Sequence, residues 1–339
     1  MKPLQPHLDE LRRHQLYRQR KVVEGGQGVE VRVGGETLLS FCSNDYLDLA
    51  HHPEVVAAFI EGAQRHGVGA GASHLISGHH AAHHALEEEL ADFAGTKRAL
   101  LFSTGYMANL GVTGALMQRH GSVFEDKLNH ASLIDAARLC GAKVRRYAHG
   151  DMGRLTAQLA AEPGEKLILS DGVFSMDGDV TPLPALLDAA RTRGAWLLLD
   201  DAHGLGVLGA HGRGTFEHFG LSVASPAMLM GTLGKALGTF GAFVAGSEDL
   251  IETLIQHART YIYTTALPPA VAEATRASLR ILRTDDGRRA PLHARIRQFR
   301  EGARELGFTL PASQTAIQPV ILGAPGRALA ASEVLRARG

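Results

Sequence analysis

Between about residues 99 and 247 the chain repeats one pattern, a short apolar run followed by a helical stretch. The runs are Ala99–Phe102, Leu167–Leu169, Trp196–Leu199, Ala227–Met230 and Gly241–Ala245. Runs apolar at every position belong to strands buried on both faces, and their alternation with helices implies an α/β fold. The expected architecture is a mostly parallel sheet with helices on both faces. Ligands of such sheets sit beyond the carboxyl ends of the strands, and the unusual residue clusters of this chain fall just after the apolar runs.

The flanks read differently. Residues 1–24 are polar and basic, with Leu8, Leu11, Leu16 and Tyr17 spaced as on a helix. Residues 28–42 alternate as a hairpin around Gly34-Gly35. Pro53 to His66 reads as an amphipathic helix with Val55, Val56, Phe59, Ile60 and Ala63 on one face. Residues 250–283 read as two helices broken at Pro268-Pro269, Leu292–Gly307 as a helix, Ile317–Leu322 as a strand and Ala328–Arg338 as a helix. This divides the chain into an arm (1–48), a large domain (49–283) and part of a smaller α+β domain (284–339).

Of the 339 residues 45 % are apolar, enough for a sizeable core, and the formal net charge is zero. Such a balance argues against nucleic-acid or anionic-membrane partners. No apolar run approaches the roughly 20 residues of a membrane span. Cys42 and Cys140 make no disulfide framework and read as small buried residues, which suggests a reducing cytoplasm.

A lysine stands where lysine is out of place. Lys235 lies among glycines and small residues, Gly231 to Gly238, straight after an apolar run. It is either an ordinary surface turn or a partly desolvated amine whose lowered pKa makes it a nucleophile or base. Upstream, Asp200 ends a fully apolar strand and is followed by Asp201 and His203. A carboxylate there wants a cationic partner, such as a protonated heteroaromatic nitrogen. Asp201 reads equally well as a helix cap. Thr104-Gly105-Tyr106 opens a helix after another strand, where free amides suit a phosphate. His130 offers a ring that stacks on a flat ligand or merely caps a helix, and Ser175 follows a further strand. Together these are the groups that pyridoxal phosphate requires.

The motifs GTLGKALG at 231–238, DDAHG at 200–204, GVFSMDGD at 172–179, NHASL at 129–133 and CSNDYLDLAHHPEV from Cys42 resemble the α-oxoamine synthase family. That resemblance implies a fold-type I pyridoxal-phosphate-dependent transferase, with residues 49–283 as the cofactor-binding domain. It implies that Lys235 carries the cofactor, Asp200 pairs with the ring nitrogen, and His203 and Ser175 attend the ring hydroxyl. His130 stacks on the ring. Gly105, Tyr106 and Thr232 hold the phosphate, joined by Thr264 or Thr265 of a partner subunit in a homodimer with shared active sites. Arg18 and Asn44 match positions near the substrates, Arg18 being the contact for an acyl-chain carboxylate. The stretches HHALEEELADF, YIYTTALPPAVAEATRASL and AIQPVILG point to the family member of biotin biosynthesis. It joins L-alanine to a pimeloyl thioester of coenzyme A or acyl carrier protein. The resemblance further implies a segment after Gly339 that completes the small domain and supplies an arginine for the amino-acid carboxylate.

Other readings are open. Glycine C-acetyltransferase and 5-aminolevulinate synthase share the ring chemistry, and a non-catalytic partner subunit shares the fold. Gly67-Val68-Gly69-Ala70-Gly71 follows a helix and lacks the full dinucleotide motif. His79 with His83, and His80 with His84, have the i, i+4 spacing of a metal pair. Spacing reveals no acidic third ligand, because Glu87 to Glu89 read as a solvated face. The expectation is therefore a polar helix start and no metal.

Overall fold

The computed structural model describes residues 3–117 and 119–339. Helix α1 (Gln5–Arg13) precedes a small antiparallel sheet of β1 (Val23–Glu24), β2 (Glu30–Val33) and β3 (Glu36–Leu39). Then come α2 (Pro53–His66), a π-helical turn at His74–Gly78, and α3 (Ala81–Ala94). The chain continues as β4 (Arg98–Phe102), α4 (Gly105–Leu116), β5 (Ser122–Asp126), α5 (Ala131–Leu139), β6 (Lys143–Tyr147), α6 (Met152–Ala161) and β7 (Lys166–Asp171). It goes on through α7 (Leu183–Arg193), β8 (Trp196–Asp200), α8 (Thr215–His218), β9 (Ala227–Thr232), β10 (Ala242–Gly246), α9 (Glu248–His257), α10 (Arg259–Ile262) and α11 (Pro269–Thr284). Helices α12 (Arg289–Glu305) and α13 (Pro325–Arg336) follow.

Among the described residues the large sheet has seven strands in the order β4-β10-β9-β8-β7-β5-β6. Only β10 runs against the rest, antiparallel to both β4 and β9. Alternate residues of each strand feed different cores. Ile168, Leu197, Leu199 and Leu229 pack on one side, and Leu167, Leu169, Leu198, Met228 and Met230 on the other. Two-sided burial is why these strands are apolar without alternation. Their shared direction fixes the geometry of the site, because β4, β5, β7, β8 and β9 all end at one edge of the sheet.

Several local expectations are corrected. Helix α2 forms as read, but Val56, Phe59 and Ile60 are exposed; the side that packs on α11 is marked by buried Val55 and Gly62. Contact with α11 is so close that a Cβ at Gly62 would lie 2.9 Å from Ala270 Cα. Residues 317–322 form no strand, since a strand needs a neighbour and none of the described residues pairs there. Gln318 instead uses its amide to bond the Ser313 and Thr315 carbonyls. Cys42 is exposed and Cys140 half-buried, so neither is a core residue. His83 does serve the start of α3, its Nδ1 accepting from the amide of the N-cap residue His80, but it is fully buried rather than solvated, with its Nε2 facing the Leu267 carbonyl at 2.8 Å. Nor is Glu87 solvated, for burial pushes its carboxyl up to about 7. Glu89 is paired with Arg276 at 2.7 Å.

Candidate active site

The carboxyl ends of the parallel strands bring together residues up to 130 positions apart in the chain. Strand β4 leads into Gly105 and Tyr106, β5 into His130, β7 into Ser175, β8 into Asp200 and His203, and β9 into Thr232 and Lys235.

Lys235 is half-buried, and its Nζ lies 2.9 Å from His203 Nε2. Desolvation lowers the amine below its ordinary value, against the opposing pull of Asp200 and Asp171. The surface-turn reading is thereby excluded. Burial, then the nearby lysine, pushes His203 down to about 3, so its ring is neutral at working pH. A neutral imidazole accepting at Nε2 carries its hydrogen on Nδ1, which lies 2.7 Å from the Tyr46 hydroxyl. The Tyr46 hydroxyl in turn donates to Asn44 Oδ1 at 3.3 Å. One hydrogen-bonded line thus runs from Lys235 through His203 and Tyr46 to Asn44.

Asp200 is buried and held at both oxygens. Asn109 donates to Oδ2 at 2.7 Å and the Ala202 amide to Oδ1 at 3.1 Å. Asn109 also donates to Ser132 Oγ, which sits 2.7 Å from His130 Nδ1. His130 caps α5 through that nitrogen, accepting from the Ser132 amide, while its residue remains exposed at the site. The cap and a ring available for stacking coexist. The next strand supplies Asp171, in register with Asp200, whose Oδ2 accepts from the His130 amide at 2.7 Å. Burial and the charge on Asp200 raise Asp171 well above the ordinary carboxylate range. Asp201 is the structural residue of the pair, accepting from the Thr215 amide and hydroxyl, both at 2.6 Å, at the start of α8.

At the head of α4, Thr104 Oγ takes the Met107 amide, and the Ala108 amide begins the helical ladder. The Gly105 and Tyr106 amides come before that ladder, where a helix offers its unpaired donors to an anion. The Tyr106 hydroxyl bonds Asp135. Thr232 Oγ reaches the Gly241 carbonyl at 3.2 Å, across the β9–β10 pair. Ser175 lies half-buried in the turn after β7. Thr265 pairs with Ser73 across an isolated bridge, and Thr264 adjoins it. The 67–71 glycine run leads into that bridge and forms no strand-to-helix phosphate turn. Arg18 is exposed in the segment after α1, among residues without regular structure.

Sequence reasoning missed Tyr46, Asn109 and Asp171. Asn109 lies one helical turn beyond Gly105, a spacing that returns to the same helix face. Asp171 ends its strand as Asp200 does, and Tyr46 stands two residues after Asn44.

These residues suit a phosphorylated pyridine aldehyde: a desolvated amine, a buried carboxylate for a ring nitrogen, a neutral imidazole and two free helix-start amides. Fold and lysine together define a pyridoxal-phosphate-dependent transferase of fold type I, and the chain belongs to the aminotransferase class I and II family, whose model matches residues 36–339. A relative from Methylococcus capsulatus, 60 % identical over 98 % of this chain and 86 % of its own length, is named 8-amino-7-oxononanoate synthase. Within the family the chain stands with these synthases. A solved 8-amino-7-oxononanoate synthase from Francisella tularensis is 34 % identical with a TM-score of 0.76, covering 87 % of this chain and 84 % of that one. A serine palmitoyltransferase from S. paucimobilis, described with bound pyridoxal phosphate and myriocin, has a TM-score of 0.86 at 31 % identity over 92 % and 79 % of the two chains. Pyridoxal 5'-phosphate is the cofactor.

Proposed function

We propose that the chain condenses L-alanine with a pimeloyl thioester, releasing carbon dioxide and the carrier thiol to give 8-amino-7-oxononanoate for biotin synthesis. The observation that carries this reading is the 60 % identity, over 98 % of the chain, to a synthase of that name. Placement of Lys235 Nζ beside neutral His203 agrees with it.

Pyridoxal phosphate supplies an electron sink for the pair left when a bond to the amino-acid α-carbon is broken. The residues of this chain hold and aim. The Gly105 and Tyr106 amides and the Thr232 hydroxyl would hold the phosphate, Asp200 would pair with the ring nitrogen, His203 and Ser175 would attend the ring hydroxyl, and His130 would stack on the ring. Lys235 Nζ takes the alanine α-proton and later returns one to the product; the lowered affinity of this amine for protons lets it serve as a base. Asn44 orients substrate through the Tyr46 line, and Arg18 meets the pimeloyl carboxylate. Thr264 or Thr265 of a second copy completes the phosphate site in a homodimer. Exposed Leu75, Ile76 and Tyr263, close in sequence to the Ser73–Thr265 bridge, support a partner there. Among the described residues no helix is long and apolar enough to cross a membrane, and we take the enzyme to work in the cytoplasm.

The test is the visible absorbance of the holoenzyme with and without L-alanine, followed by turnover with paired substrates. A band that shifts with alanine, and turnover with pimeloyl rather than acetyl or succinyl thioesters, support the reading. Preference for glycine and acetyl-coenzyme A contradicts it. An absorbance band indifferent to any amino acid would instead point to a non-catalytic subunit.

A further inference from the structure

Away from the strand ends, the head of α3 carries histidines for which the condensation has no use. His79, His84 and Glu87 place one donor atom each within 4.8 Å of one another. They line a cleft of about 270 Å³ whose other walls include His74, Leu100 and Tyr261. His84 and Glu87 are three residues apart on the helix, and His79 precedes its first turn.

Each of the two inner donors is already oriented by its other atom. Glu87 Oε1 accepts from the Leu101 amide at 2.9 Å, which leaves Oε2 facing His79 Nε2 at 3.9 Å. His79 Nδ1 lies 3.0 Å from His74 Nδ1, and two imidazole nitrogens so close share one hydrogen. When His79 donates it, its Nε2 lone pair points at Glu87. His74 is itself fixed by stacking on Tyr261, with ring centroids 4.9 Å apart. Ligands with one atom on the ion and the other on a fixed partner are the usual construction of a metal site. A rival trio, His74, His79 and His83, also lies within 4.8 Å. It is ruled out because both nitrogens of His83 are committed, to the His80 amide and the Leu267 carbonyl.

We propose that His79, His84 and Glu87 form a binding site for a divalent transition metal of the zinc type, with a fourth position open to the cleft. Two imidazoles and one carboxylate are a zinc donor set. Tetrahedral zinc holds its ligand atoms about 3.4 Å apart, given zinc–nitrogen bonds of about 2.0–2.1 Å. Closing to that spacing asks most of His84, whose side chain is 66 % exposed and free to rotate. Glu88, beside His84 at 3.5 Å, stands ready to orient it. Bound metal would tie the segment before α3 to the helix.

The probe is Zn²⁺ titrated calorimetrically into the holoenzyme, with Co²⁺ as a visible reporter. One equivalent per chain is expected. Glu87→Gln and His84→Ala should each weaken binding at least about tenfold and remove the tetrahedral cobalt bands, and His74→Phe should weaken it about 10–100-fold through His79. Because His84 is exposed, His84→Ala also keeps the fold, which unchanged turnover with alanine verifies. Absence of zinc binding in the parent protein overturns the proposal, as does equal binding by the parent and His84→Ala. Either result leaves the condensation reading untouched.

Discussion

The amine of half-buried Lys235 and Nε2 of buried His203 lie 2.9 Å apart, the imidazole neutral and the amine held below its ordinary proton affinity by desolvation. With Lys235 on one ring nitrogen and the Tyr46 hydroxyl 2.7 Å from the other, Tyr46 is the residue that orients the His203 ring.

Tyr46→Phe removes the bond to His203 Nδ1 and nothing of the ring's bulk. A hydrogen bond of about 1 kcal/mol corresponds to roughly a five- to tenfold fall in kcat. Steady-state kinetics at saturating cofactor checks it. A variant within twofold of the parent would show that the phenol does not orient His203.

Asp200→Asn keeps the shape and removes the charge. Loss of a buried electrostatic stabiliser of this kind costs about 10²–10³ in kcat. Cofactor binding measured by absorbance should persist, since the phosphate contacts lie elsewhere. Near-parent turnover would remove Asp200 from the chemistry.

Asp201 acts on stability. Burial raises its carboxyl to about 6, so between about pH 4 and 6 the folded chain holds more protons than the unfolded one. Stability from this group is therefore greatest below the ordinary carboxylate range and declines as pH rises to 6, by about 3 kcal/mol in total. Asp201→Asn should remove this contribution and flatten the pH slope in denaturant titrations, leaving what Glu87 and Asp171 add to it. Asp201→Ala should cost about 1–3 kcal/mol throughout, because the buried Thr215 amide loses its acceptor. An unchanged slope in Asp201→Asn would contradict the assignment.

Gly62→Ala sets two effects against each other. Alanine within a helix gains about 1 kcal/mol over glycine. The new methyl meets Ala270 Cα at 2.9 Å, and overpacking costs about 1–3 kcal/mol. Net destabilisation is expected, visible as a lowered thermal midpoint; a raised midpoint would mean that α2 and α11 separate freely.

Much of this molecule was legible in its sequence because the parallel sheet imposes a strong pattern. Strands buried on both faces must be apolar throughout, so a carboxylate or lysine at their ends stands out, and Asp200 and Lys235 were found that way. What stayed hidden depends on distance in space. The Tyr46 phenol meets His203 157 residues away, and the Asn109 amide meets Asp200 91 residues away; neither spacing is periodic. The exposed apolar face of α2 misled for the converse reason. Its helical period was plain, but period shows which residues share a face and not which face is covered. Glu87 was misread for the same cause, since three successive glutamates look solvated until the fold turns one inward.

The central claim is that Lys235 does the chemistry of alanine condensation. Its most direct test is product formation from L-alanine and pimeloyl-coenzyme A by the parent enzyme and by Lys235→Ala, each purified with excess pyridoxal phosphate. 8-Amino-7-oxononanoate is expected from the parent, with a fall of at least about 10³ in the variant, which loses both nucleophile and base. Near-full turnover by Lys235→Ala would contradict it.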